Sequence, residues 1–280
     1  MYREHFGLTE LPFGITPDTS FFFACLHYQE ALNTLLVAAR SGEGFIKITG
    51  EVGTGKTLLC RTFLAALRSE CYTTYIPNPY LEPRTLMLAL AEELKIPQDK
   101  DVDQYRLLKA INLRLLHLAR EGKRVVLCID EAQAMPAETL EALRLLTNLE
   151  TEKRKLLQIV LFGQPELDQK LAQESIRQLK QRITFYYHLG PLNREDLARY
   201  IEHRLQVAGY RGERLFRQAA ERALYQASTG VPRLVNILAH KALLMAYGEG
   251  SHEVVARHIK AAAADTPAAS RRGFGGWWRR

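Results

Sequence analysis

A chain of 280 residues is long enough to bury one large core, or a larger and a smaller one. Its composition, 47% hydrophobic and 25% charged, is that of an ordinary globular protein and excludes a low-complexity or collagen-like chain. The net charge of +7 hints at an anionic partner, but +3 of it lies in residues 265–280 (Asp265 against Arg271, Arg272, Arg279 and Arg280), and +4 is spread, signs mixed, over residues 1–264.

No apolar run approaches the length that crosses a bilayer. The opening Met1-Tyr2-Arg3-Glu4-His5 carries an acid and leads to Pro12 and Gly14, which is not the pattern of a signal peptide. Cys25, Cys60, Cys71 and Cys128 are widely spaced and form no C-x-x-C pair, so buried thiols are expected rather than disulfides or metal ligands. Together these point to a cytoplasmic protein.

In chain order, residues 1–26 are rich in Phe and Pro and read as an irregular segment packed on the core. A helix is expected over His27–Ala39, followed by a strand from Phe45 to Thr49 and a helix from Leu58 to Leu67. Tyr72–Ile76 has strand composition; helices follow at Arg84–Leu94 and Gln104–Arg120, the latter with an apolar stripe at Leu108, Ile111, Leu115 and Leu118. Val125–Ile129 and Leu156–Phe162 are apolar runs, the second broken only by Gln158, as expected of parallel strands covered on both faces. A helix from Pro136 to about Leu149 separates them, and Ile183–Leu189 is a fifth strand. Strands alternating with helices predict an α/β domain with a parallel sheet over 27–190. After Pro191 no strand is expected, and helices at Asn193–Ala208, Glu213–Ala227, Val231–Tyr247 and His252–Ala264 make a small all-helical domain over 191–264. Residues 265–280 read as a flexible basic-aromatic tail.

The chain is organised around Gly50-Glu51-Val52-Gly53-Thr54-Gly55-Lys56-Thr57, which fits the G-x-x-x-x-G-K-[ST] phosphate loop between a strand and a helix. Its glycines let the backbone approach an anion closely. N–H groups of the loop and of the helix start at Leu58 then face phosphate oxygens, Lys56 neutralises the β- and γ-phosphates, and the Thr57 hydroxyl is offered to Mg²⁺. Asp130-Glu131 closes the most apolar strand. Asp130 there can hold Mg²⁺ through water, and Glu131 can take a proton from an attacking water.

Gln164 follows the next strand and, in a parallel sheet, would lie beside Asp130 at the edge where ligands bind. It is read as orienting the water or touching the γ-phosphate, against the plainer reading of a loop Gln. Asn78 is a candidate restraint on Glu131 or simply a turn residue between prolines. Arg182, and less so Arg177, is a candidate finger reaching a neighbouring subunit's ATP, with an ordinary surface charge as the alternative. Arg233, opening a helix of the small domain, can reach the phosphates and report hydrolysis as lid movement. The eight histidines show no metal-ligand pattern.

With these parts in order the chain resembles the AAA+ ATPases, and more narrowly their ExeA/MshM-like secretion and pilus branch. The resemblance is carried by Phe6-Gly7-Leu8 with Pro12-Phe13 and Pro17-Asp18, Gly50–Thr57, Cys128–Gln133, Leu161–Leu167, Gln181–Ile183 and Gly230–Asn236. It implies a P-loop NTPase sheet followed by a helical lid, Mg²⁺-dependent ATP hydrolysis, and a nucleotide site of Gly50, Gly53, Gly55, Lys56, Thr57, Leu58 and Arg233, with Thr57 and Asp130 at the metal. Glu131, Gln164, Arg182 and Asn78 take the catalytic positions. At this length the likeness is to the short, MshM-like members, which implies assembly or remodelling of a type IV (MSHA) pilus or secretion complex at the inner membrane by a homo-oligomer, as a ring. Related ATPases regulate DNA transposition or replication, and DNA stays open as the alternative partner. Trp277 and Trp278 among the tail arginines suggest peripheral membrane contact, with a protein-docking tail as the other reading.

Overall fold

The computed structural model describes residues 2–97, 102–151 and 154–269. Their contacts gather into two compact units, one of residues 26–52 and 59–189 and the other of residues 2–25, 53–58 and 190–269. The tail residues Arg271, Arg272, Trp277, Trp278, Arg279 and Arg280 lie outside the described residues.

The first unit is built on strands β1 (Phe45–Thr49), β2 (Cys71–Ile76), β3 (Arg124–Ile129), β4 (Glu150–Thr151), β5 (Arg154–Lys155), β6 (Leu157–Gly163) and β7 (Ile183–His188). Five of them form one parallel sheet in the order β2-β3-β6-β1-β7, while β4 and β5 make a small antiparallel ribbon. The apolar run of β6 explains its central place: each of its positions is buried, and it is paired on both sides. Leu157, Ile159 and Leu161 of β6 join Val125, Leu127 and Ile129 of β3 in a core closed by helices Pro83–Glu93, Gln104–Arg120 and Ala137–Leu146. Each fully buried Leu or Ile there stabilises by about 1.5–3 kcal/mol.

Register then fixes the edge. Pairing of Ile76 with Ile129, Ile129 with Leu161, and Thr49 with Gly163 brings these strand ends to one edge, where Gly50 emerges level with Gln164, and Asp130 two residues before it. Gln158, the one polar residue of β6, is buried and donates from Nε2 to the Glu43 carbonyl at 2.9 Å. By contrast β7 is half-covered, alternating between exposed and partly buried residues, because it is an edge strand packed by helix Leu26–Ser41.

In the second unit, helices Arg194–Val207, Gln218–Ser228, Pro232–Gly248 and Ala256–Ala264 pack together, and residues 2–25 lie on them. Asn193 caps the first by accepting the Asp196 N–H at 2.8 Å. The N-terminal segment contains a short helix, Tyr2–His5, and a 3-10 turn, Thr19–Phe21. It is held by the buried Arg204, which donates to the carbonyls of Pro12 and Gly14 and stacks over Phe21 at 4.6 Å. Arg204 also donates to the Tyr200 hydroxyl, which donates to Asn236 Oδ1 (both 2.9 Å), while Asn236 Nδ2 donates to the Gly14 carbonyl at 3.1 Å.

Several boundaries differ from the sequence expectation for physical reasons. The helix after Pro136 stops at Leu146, because the chain beyond Leu149 enters the β4–β5 ribbon. The helices expected from Glu213 and His252 begin at Gln218 and Ala256, since Phe216 and Val254 pair as an isolated parallel bridge. Among the described residues no strand follows Pro191, and extended pairing there is limited to this bridge; Val254 N–H donates to the Leu215 carbonyl at 2.8 Å. The short helices Glu166–Leu171 and Arg177–Lys180 have too few turns to show a periodicity.

Candidate active site

The glycine-rich turn takes the backbone that its sequence demands. Gly53 and Gly55 have φ of 82° and 94°, in the left-handed region that side chains disfavour, and helix Lys56–Leu67 starts directly after them. Gly53 is also crowded: a Cβ there would stand 2.7 Å from the Arg233 Cβ. Arg233 donates its backbone N–H to the Gly53 carbonyl at 3.1 Å, so the turn and the start of helix Pro232–Gly248 are in direct backbone contact within one unit. The Arg233 side chain is exposed, Lys56 and Thr54 are buried, and Thr57 and Leu58 are partly buried.

Within the sheet unit, Gly50 N–H donates to the Gly163 carbonyl at 3.2 Å. Asp130 is 3% exposed, and both its oxygens are held: Oδ1 accepts the Glu131 N–H at 2.9 Å and Oδ2 accepts the Tyr75 hydroxyl at 3.3 Å. Burial, and then the Asp130 charge, push the Tyr75 phenol well above its usual range, so it stays a donor. Glu131 itself sits at φ 51°, a left-handed conformation uncommon for a residue with a side chain. Its Oε2 accepts from Gln133 Nε2 at 2.5 Å and from Gln164 Nε2 at 3.1 Å. Gln133 Oε1 in turn accepts the Gln164 backbone N–H at 2.9 Å.

The structure therefore brings Glu131 and Gln164 together and adds Gln133, to which the sequence reading gave no separate role. The hint was present: a polar side chain two residues beyond Glu131, in the turn that follows β3, the strand paired to the one that leads into Gln164. Asn78 is not hydrogen-bonded to Glu131; its Oδ1 accepts the Tyr80 N–H at 3.3 Å, an Asx-type turn. Arg182 donates to Thr147 Oγ1 at 2.9 Å and to the Arg144 carbonyl at 3.3 Å, at the end of helix Ala137–Leu146. Arg177 is exposed at the start of a four-residue helix. His27 lies 3.8 Å from Glu30 on the surface, and Cys25, Cys60, Cys71 and Cys128 are all free and buried.

The donor chemistry fits a triphosphate with a hard cation. In the sheet unit Asp130 carries oxygens of the kind Mg²⁺ prefers; in the helical unit Thr57 carries another, and the glycine turn with Lys56 carries N–H groups and a positive charge of the kind that suits phosphate. Among the described residues there is no group of three or more His, Cys, Asp or Glu that could hold a metal ion. Nor is any described helix long and apolar enough to cross a membrane.

Strand order, the glycine turn and the Asp-Glu strand end together define a P-loop AAA fold with a helical C-terminal part. An AAA domain family model matches residues 39–171. The chain is 45% identical over 263 residues to general secretion pathway protein A of Aeromonas hydrophila, covering 94% of this chain and 48% of that protein. It thus spans about half the length of the curated relative it matches. Among solved structures it is similar to Aeropyrum pernix ORC2 in its ADPNP-ADP complexes (TM-score 0.65, 18% identity, 91% of this chain and 72% of that one). It is also similar to the RuvB Holliday junction branch migration motor of Thermotoga maritima (TM-score 0.60, 16% identity, 90% and 73%). At these identities the likeness is one of fold alone.

Proposed function

We propose that this chain is a Mg²⁺-dependent ATPase that works as a homo-oligomer to assemble or remodel a secretion or type IV (MSHA) pilus complex at the inner membrane. The observation that carries the catalytic half is the Glu131 carboxylate, held by two glutamine amides one residue beyond the buried Asp130. The secretion half rests on the 45% identity to general secretion pathway protein A; the pilus role is the finer reading from the MshM-like resemblance.

Roles follow residue by residue. The N–H groups of Gly50, Gly53, Gly55 and Leu58 cradle phosphate oxygens, and Lys56 offsets their charge. Thr57 and Asp130 would hold Mg²⁺, which when bound neutralises charge on the phosphates. Glu131 takes the proton of the attacking water, with Gln164 orienting the same edge. Arg233, whose backbone is tied to Gly53, reports the state of the turn to its helix. Arg182 serves a neighbouring subunit, for which its bonds to Thr147 and Arg144 have to open.

Steady-state ATP turnover and titration with a fluorescent nucleotide test the assignment. Lys56→Ala should abolish nucleotide binding. Glu131→Gln should bind within about twofold of wild type and lose turnover by about 100-fold or more, since only the base is removed. Normal turnover in Glu131→Gln would sink the assignment. A tight, ATP-dependent complex with duplex DNA that survives physiological salt would move the reading to the DNA-regulatory class.

A further inference from the structure

The turn after Asp130 folds back on itself. Glu131 adopts φ 51°, Ala132–Ala134 form a single 3-10 turn, and Ala134 N–H closes it on the Glu131 carbonyl at 2.8 Å. This brings the side chain of Gln133 back over the residue two positions earlier. β3 and β6 are paired neighbours, so the same side chain also reaches the start of the loop after Gly163. Gly163 allows the approach: a Cβ there would meet Gln133 Oε1 at 3.3 Å and Leu167 Cδ2 at 2.8 Å.

Chemistry fixes which way the Gln133 amide points. The Gln164 backbone N–H is a donor only, so the Gln133 atom 2.9 Å from it must be the oxygen. The NH₂ group is then turned to Glu131, where it meets an acceptor-only carboxylate oxygen at 2.5 Å. Reversing the amide would set oxygen against carboxylate and N–H against N–H, so one orientation satisfies both partners. With Gln164 Nε2 as the second donor, Oε2 of Glu131 is doubly occupied, and Oε1 carries no hydrogen bond from the described residues.

We infer that Gln133 is a positioning residue for Glu131: it pins Oε2, leaves Oε1 to accept a proton, and makes that arrangement depend on the strand end that carries Gln164. The inference rests on the reading of Glu131 as the base. Its physical content is that one side chain converts a shift of the β6 end into a change at the Glu131 carboxylate. If Gln164 moves, Gln133 Oε1 loses the N–H that donates to it and the amide is free to rotate away from Glu131.

Two substitutions separate this role from a packing role. Gln133→Glu keeps an oxygen for the Gln164 N–H but sets a second carboxylate against Glu131. Oε2 of Glu131 then faces an acceptor in place of its NH₂ donor and is no longer held from that side, so kcat should fall by about tenfold or more with KM within about twofold. Gln133→Leu removes both bonds and should lower kcat by about tenfold with KM within about twofold, since nucleotide binding does not use Gln133. ATP turnover of the full chain, with thermal melts and nucleotide affinity as controls, reads these effects. A kcat unchanged in Gln133→Glu and Gln133→Leu, with wild-type turnover intact, overturns the inference and leaves the ATPase reading standing. Loss of nucleotide binding together with turnover in both variants overturns it too, because Gln133 then serves the fold alone. A wild-type chain with no turnover removes the reading of the site and this inference with it.

Discussion

The two units bury charge in different ways. In the sheet unit Asp130 is the one charged side chain among its described buried residues; a few threonines and Gln158 are the other buried polar groups, and most of the core is apolar. In the helical unit, beyond the phosphate loop, Asp196, Arg204, Glu221 and His258 are all buried, and polar side chains do structural work there. Arg204 and Asn236 bind the N-terminal segment, and Glu221 accepts a two-point bond from Arg214. A core made of volume tolerates exchange of like for like, whereas a core made of donors and acceptors does not.

The largest break should come in the helical unit at Gly230. Its φ is 76°, and a Cβ there would stand 2.0 Å from the Leu192 carbonyl oxygen. That backbone cannot move without losing the 2.9 Å bond from Leu192 N–H to Gly230. Gly230→Ala should therefore cost about 4 kcal/mol, at the severe end for single substitutions; chemical denaturation checks it, and a loss under about 1 kcal/mol would contradict the crowding.

A sharper test puts one new residue in both units. Methionine for Leu127 conserves volume and should cost about 1 kcal/mol or less. Methionine for Arg204 keeps an unbranched stem but strands the Pro12 carbonyl and removes one of the two donors to the Gly14 carbonyl, for a loss of about 3 kcal/mol. Limited proteolysis should then cut within residues 2–25 first. Equal losses at the two positions would erase the contrast.

The smallest effect expected is an acid sensitivity of the helical unit. The Glu249 carboxyl is held below its usual 4.5 by hydrogen bonds from His258, then Arg257. A depressed folded-state value means that stability is present above the unfolded value and lost as pH falls through the folded one. Denaturation midpoints of wild type and Glu249→Gln should differ slightly at pH 6 and converge below about pH 4. A difference that persists at low pH would assign the effect to something other than this carboxylate.

How much could be read beforehand depended on whether backbone or side chains did the work. The glycine turn was legible because positive φ at Gly53 and Gly55 leaves few residue choices. β3 and β6 were legible because strands covered on both faces must be apolar throughout, which also drew attention to Asp130 and Glu131 at one end. The ribbon at 150–155 was missed, for two-residue strands carry no pattern. Gln133 was passed over because its role arises from a left-handed turn at Glu131, and Glu is not a residue whose type announces that conformation. The bridge of Phe216 to Val254 joins segments far apart in sequence, beyond any local periodicity.

The left-handed backbone at Glu131 has a consequence for how this position tolerates change. Conformation alone would favour glycine there, while the proposed chemistry needs a carboxylate. Thermal tolerance and turnover then select in opposite directions at a single codon. A library enriched only for heat resistance would be expected to drift toward glycine at 131, and one enriched for activity would retain the strained acid. The most strained residue of this edge would thus be kept by what it does rather than by how well it fits.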